Sequence, residues 1–313
     1  AGGCCAQRWY DINADVVFLQ RDDSLSTVYY ASDGINGPPV LGTDSLGFDE
    51  AGGLRISAAM QLGAGNSLES TYLGSFNWSD QVSVESPTDN LFSVISDFGQ
   101  NPFGGFDDTD DAAYAALEYS SSFDSVELSY RQRWVAPNCK LQGSWLAGVR
   151  YFYLTEDFRY STVSFVRNGA MDYDIGVSNS LTGGQIGGDL WACIMPGLSI
   201  GGELKAGIYG NRATQRTHID AVSFGFPVDE KVTETTAAFL GDAKLTLLWR
   251  LSQNWTFRGG YMFVYVDQVA LAAENFNSAP PFVNDPLRPR IPRIADNSDV
   301  FYHGAHFGLE YMW

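Results

Sequence analysis

The chain has three histidines, and one of them, His218, stands two residues before Asp220. A histidine beside a carboxylate is the pairing from which a general base is built. His303 and His306 lie together near the C-terminus, and no G-x-S-x-G nucleophile turn occurs anywhere. A surface hydrolase using His218 is therefore one reading, and a solvated loop histidine is the other. The expectation taken forward is that the protein is not an enzyme. A second candidate is FDDTDD at 106–111. Clustered carboxylates can ligate calcium, so Asp107, Asp108, Asp110 and Asp111 form a candidate Ca2+ site, although the spacing and glycine of a calcium loop are missing. No other cofactor is expected.

The third candidate chemistry is distributed. Asp11 and Asp15 alternate with Tyr10, Ile12, Ala14, Val16 and Phe18. The same pattern recurs down the chain, with one charged or small face and one apolar face. Collecting the charged face gives Asp11, Asp15, Arg55, Glu69, Glu127, Arg131, Arg133, Arg150, Glu203, Lys205, Asp242, Lys244, Arg258 and Glu310. Both signs are mixed. If these side chains share one interior, they form an internal network, because charges removed from water need partners.

Alternation of period two requires strands to position these residues. Ten segments carry it, at about 9–20, 52–62, 68–78, 113–134, 145–156, 183–194, 198–210, 235–250, 255–267 and 301–313. Long and short connections alternate strictly: about 21–49, 79–112, 157–181, 211–234 and 269–299 are long, while GAGN, 135–141, 195–197 and 251–254 are short. An up-and-down barrel of the outer membrane sorts its loops to opposite ends in this way, and a Greek-key sandwich does not. The expected fold is an all-β, transmembrane antiparallel barrel of about ten strands, with eight to twelve conceivable. It forms a single domain over 1–313 with 1–8 as a periplasmic N-terminal segment. A break at 120–124 would split the fourth segment in two and upset the sorting; one long strand is preferred.

Composition agrees. No run of about 18 apolar residues exists, so helical spans are excluded. The net charge of -18 excludes nucleic acid as a partner. AGGCCAQRWY lacks the features of a signal peptide, which for an exported protein implies a processed chain. Trp9, Trp134, Trp145, Trp191, Trp249, Trp255 and Trp313 lie near short turns or chain ends, and Trp78 at the opposite end. They are expected to form a periplasmic aromatic girdle. Cys4, Cys5, Cys139 and Cys193 sort to that end too, which predicts periplasmic disulfides of open connectivity.

YSSSFDSVELSYR at 119–131 and WLAGVRYFYLTEDF at 145–158 resemble the putative beta-barrel porin family seven of planctomycete bacteria. The resemblance implies an outer-membrane barrel and supports reading 113–134 as one strand. It brings no catalytic or ligand residues. Ten strands leave an interior close to what side chains fill, so the expected role is structural or surface-presenting, with the lumen plugged. A narrow channel for small solutes or ions is the alternative. Expected partners are outer-membrane lipid, the insertion machinery through the C-terminal strand, and other barrels or surface proteins through the long loops. The proline-dense SAPPFVNDPLRPRIPR could lie along such a partner or cover the mouth as a lid. The expected location is the outer membrane, both termini periplasmic.

Overall fold

Alternation with a period of two runs well past several of the expected strand ends, and it sets the architecture. The computed structural model describes residues 10–23, 27–101, 106–137, 140–223, 226–279 and 290–312. Its strands are β1 (Tyr10–Asp23), β2 (Tyr29–Asp33), β3 (Pro39–Gly42), β4 (Ala51–Gly63), β5 (Asn66–Gly74), β6 (Trp78–Glu85), β7 (Leu91–Ser93), β8 (Tyr114–Val135), β9 (Leu141–Ser164), β10 (Gly169–Met195), β11 (Leu198–Ala221), β12 (Val228–Arg250), β13 (Trp255–Val269) and β14 (Ser298–Met312). Among the described residues no helix is long and apolar enough to cross a membrane.

Antiparallel neighbours run β5-β4-β1-β14-β13-β12-β11-β10-β9-β8, and β5 pairs back onto β8 to close the ring. The lower half of β8, Ser125 to Gln132, pairs with β5, and its upper half, Tyr114 to Ser121, pairs with β6. β5 and β6 therefore share one of ten positions, and the third expected strand ends at Gly74 rather than Trp78. The chain jogs there because Ser75 takes a left-handed φ of 67°, held by Asp124, which accepts from the Tyr72 hydroxyl at 2.6 Å and from Ser75 N–H at 3.2 Å. Closure matters because hydrocarbon offers no partner to an open strand edge.

Segment 113–134 is one strand, as expected. Two expected loops are not loops. Residues 157–181 are strand except for the four-residue turn 165–168, and 211–234 are strand except for 222–227. The error has a physical cause. In these stretches Phe158, Tyr160, Tyr173, Ile175 and Ile219 still point inward and are buried, while the polar residues between them point outward. Those polar residues face water beyond the membrane, so polarity marks the edge of the lipid and not the end of the strand. Among the described residues, the long connections lie within 24–50, 86–113 and 270–297. The first two supply β2, β3 and β7, a small sheet of order β3-β2-β7 that roofs this end.

The outer face carries the apolar band. Val149, Ile186, Leu204 and Ile208 are 59%, 70%, 66% and 73% exposed, and such exposure is tolerable only against lipid. Because Val149 lies within the band, Val149→Arg is expected to destabilise the barrel in lipid vesicles by about 2–4 kcal/mol. Gln20→Arg, outward but near the band's edge, should change stability far less. Urea titration followed by tryptophan fluorescence separates the two.

Candidate functional site: the barrel lumen

Side chains of alternating parity fill the barrel in two layers. In the layer nearest the short turns, all fourteen charged residues expected to face inward do so, and they meet. Arg131 is the hub. It donates to Glu69 at 2.8 Å, to Glu203 at 2.7 Å, to the Ser144 hydroxyl at 2.8 Å and to Asp189. Lys205 bridges Glu127 at 2.8 Å and Glu203 at 3.4 Å, and Lys244 reaches Glu203 at 3.4 Å. Arg150 spans to Asp242 at 2.5 Å and Glu127 at 3.6 Å. Asp15 lies 3.4 Å from Arg55 and 3.5 Å from Arg258, which also holds Glu310 at 2.9 Å. Arg133, at the mouth, is 3.8 Å from Asp11. Outside this layer's mouth lies a cavity of about 160 Å3, which ends against Arg55, Arg131 and Lys244.

Nearer the long loops the lumen turns apolar. Trp78 of β6, Phe123 of β8, Phe152 of β9, Leu240 of β12, Val264 of β13 and Tyr302 of β14 are all buried to 1% exposure or less. Phe123 and Tyr302 approach across the lumen, ring centroids 4.7 Å apart, although their strands are four steps apart around the ring. Trp78 stacks with Phe76 at 5.4 Å, touches Tyr302 at 5.1 Å and donates its indole N–H to the Leu19 carbonyl at 3.2 Å. Gly53 leaves the room for Phe76, whose ring would lie 2.4 Å from a Cβ there.

Above this layer sits a buried group that sequence reasoning missed. Arg21 donates to Glu156 at 2.5 Å, and the same carboxylate accepts from Tyr119 Oη at 2.7 Å and Ala272 N–H at 2.8 Å. Arg21 also lies over the rings of Phe48 and Tyr119. This knot ties Ala272, at the start of the connection after β13, and the ring of Phe48 to the barrel wall. The available signal was parity, since Arg21 follows Val17 and Leu19 on one face. Asp189 and the buried His306, 3.8 Å from Asp15 and 3.2 Å from Thr246, were likewise missed.

The other expected sites fare differently. Trp134, Trp145, Trp249 and Trp255 point outward near the short turns. Trp191 does not belong with them: it shares parity with Asp189 and lines the lumen mouth. Trp9 and Trp313 lie outside the described residues, as do Cys4, Cys5 and Cys139. Cys193 is disulfide-bonded. The four candidate calcium carboxylates diverge to protein partners. Asp107 and Asp111 hold Arg167, Asp108 accepts from Ser223, and Asp110 accepts from the Ser96 hydroxyl at 2.5 Å. Among the described residues no cluster of His, Cys, Asp or Glu could hold a metal. Burial raises the Asp110 carboxyl above its usual range, against the pull of its bonds to Ser96 and Ser93.

His218 faces outward, half exposed, and pairs across the strands with Asp229 at 2.7 Å rather than with Asp220. That hydrogen bond raises its pKa above the ordinary 6.5. A raised imidazolium pKa means the pair's stabilisation is complete below about pH 6.5 and fades as pH rises through the folded value. NMR titration should show His218 titrating above 6.5, and Asp229→Asn should move it back.

Residues 112–313 match the family described as Putative beta barrel porin-7. The chain belongs to that family. It is thus a porin-like outer-membrane β-barrel, located in the outer membrane. No curated protein matches it. Among solved structures it is similar to the outer membrane protease OmpT of Escherichia coli, at 11% identity and a TM-score of 0.49, covering 97% of each chain. The translocator domain of the autotransporter NalP of Neisseria meningitidis follows at 8% identity and 0.42, covering 99% of this chain and 90% of that one. A major outer membrane protein of Thermus thermophilus gives 11% and 0.34, covering 97% and 99%. These likenesses say nothing of activity or substrate.

In the porin-7 barrel, Arg131 faces three carboxylates, so removing its charge takes the ion-pair partner from Glu69 and Asp189 in a desolvated lumen and leaves Glu203 to Lys205 and Lys244. Arg131→Met is expected to cost about 3–5 kcal/mol. Adding Glu69→Gln, Asp189→Asn and Glu203→Gln to it should recover a large part of that loss. Denaturant midpoints in vesicles report both.

Proposed function

We propose that this porin-7 barrel is a closed wall element of the outer membrane whose task is structural and surface-presenting. The observation that carries the reading is the contact of Phe123 with Tyr302 across the lumen, within an apolar layer stacked on a compensated charge layer. A solute passing through would have to displace both. Water-filled channels are made by rings of about 16 to 18 strands, and ten leave little more than the side chains' own volume.

In this reading the short turns and both termini lie in the periplasm, and the roofed end faces outward. The outward tryptophans Trp134, Trp145, Trp249 and Trp255 near the short turns support that orientation, since short turns belong to the periplasmic side. Strand β14 is the natural contact for the insertion machinery, and the roof of β2, β3 and β7 offers the surface on which other barrels or envelope proteins assemble. Tyr160 of β9 suits such a role, because its hydroxyl donates to the Tyr30 carbonyl of β2 at 3.1 Å and lies 3.0 Å from the Ser93 hydroxyl of β7, fastening the roof to the barrel wall.

Planar-bilayer recording tests this. The purified barrel should be electrically silent at neutral pH. Discrete conductance steps from the unaltered protein would reverse the conclusion in favour of a narrow channel.

A further inference from the structure

Beyond the lipid-facing band, the outward faces of β10, β11 and β12 form a flat grid of nine residues in register. Ser180, Arg212 and Thr235 make its lower row; Ser178, Thr214 and Thr233 the middle; Gly176, Arg216 and Lys231 the upper. Three cations and five hydroxyls stand here without a carboxylate. Among the described residues Arg212, Arg216 and Lys231 make no ion pair, whereas Arg159, outward on neighbouring β9, is held by Asp174. Arg216 and Lys231 lie directly opposite one another, an arrangement that is unfavourable unless an anion joins them.

The surroundings sharpen the contrast. Around the same belt the outward face carries acids, with Asp157 on β9 and Glu118 on β8 in one direction, where the one base, Arg159, is taken up by Asp174, and Asp267 on β13 and Asp299 on β14 in the other. On a chain of net charge -18 this is a single basic window in an acidic collar. Above it His218 is protonated more readily than usual through Asp229.

Height decides what fits. Below the grid on the same face lie Gly210, the 73% exposed Ile208, Phe239 and Ile186, which are lipid-facing. Arg212 is four residues past Ile208, about 14 Å along the strand and roughly 10 Å in height at a barrel strand's tilt. That is the level of lipid headgroups. Arg216 stands as far again above Arg212, so one small anion cannot bridge them, while a large headgroup with more than one phosphate can. We propose that this window binds the headgroup of a phosphorylated glycolipid of the surrounding leaflet: the cations take its phosphates, Thr214, Thr233, Thr235, Ser178 and Ser180 take its sugar oxygens, and Ile186, Ile208 and Phe239 receive its chains. Arginine and lysine near a membrane surface each contribute about 1 kcal/mol to such binding. The inference needs the membrane belt only, and would survive a conducting lumen.

The test uses the whole barrel in phosphatidylcholine nanodiscs doped with a bis-phosphorylated glucosamine glycolipid or with the same lipid dephosphorylated. Retained lipid is counted by native mass spectrometry. The unaltered protein should prefer the phosphorylated lipid by about tenfold or more, and salt should weaken the preference. The combined variant Arg212→Gln, Arg216→Gln, Lys231→Gln should lose it. Arg293→Gln, at an exposed loop cation, should keep it, and unchanged circular dichroism would show that the triple variant still folds. Equal retention of both lipids by the unaltered protein, or undiminished preference in the triple variant, overturns the proposal. So does a barrel dimer in undoped nanodiscs that the triple variant dissociates, since a second copy's acidic collar would then be the occupant.

Discussion

A ring of ten strands encloses a space about as wide as the side chains that point into it, and everything else in this barrel follows from filling that space. Each strand contributes every second residue to the interior and the others to the exterior. Backbone pairing around the closed ring satisfies the wall. What is left to be decided is the order in which the interior side chains meet, and here they meet across the lumen rather than only along it.

The two interior layers solve that problem by different means. Near the short turns, charges of opposite sign come from strands up to three positions apart, as Arg131 of β8 with Glu203 of β11 and Arg150 of β9 with Asp242 of β12. Such a lattice is worth little as net stability against an apolar filling, but it is unforgiving of mispairing, since any slip of register leaves a buried charge alone. Nearer the roof, aromatic rings take over. Their contribution comes from area removed from water and from ring geometry, with each good pair adding about 0.5–1.5 kcal/mol. The Arg21–Glu156 pair then fixes the loop bearing Ala272 above both.

Much of this is legible in the sequence, and the limit is instructive. The charged lattice could be written down residue by residue, because a charge alternating with apolar neighbours has one compatible face. The strand number and the continuity of 113–134 followed from loop sorting. What could not be read was where lipid stops. Segments such as Asp157 to Tyr160 and Asp172 to Ile175 turn polar on the outside while remaining apolar within, and a rule tuned to apolar exteriors ends them early. The dry layer of Phe123, Phe152 and Tyr302 was not singled out, because collecting the charged residues of the inward face passes over the aromatics that share its parity. Parity also separates Trp191 from the other tryptophans. The FDDTDD carboxylates show the converse, a local cluster whose members are drawn apart by Arg167, Ser96 and Ser223, partners distant in sequence.

The claim on which the account stands is that the lumen is packed and dry at the level of Trp78, and a protein retaining Trp78 as its single tryptophan measures this directly. With the other seven replaced by phenylalanine and the barrel reconstituted in vesicles, Trp78 should emit at short wavelength and resist quenching both by acrylamide in the aqueous phase and by brominated acyl chains. Efficient quenching by acrylamide would mean water fills the lumen, and efficient quenching by the brominated lipid would mean the side chain faces outward. Either result contradicts the account.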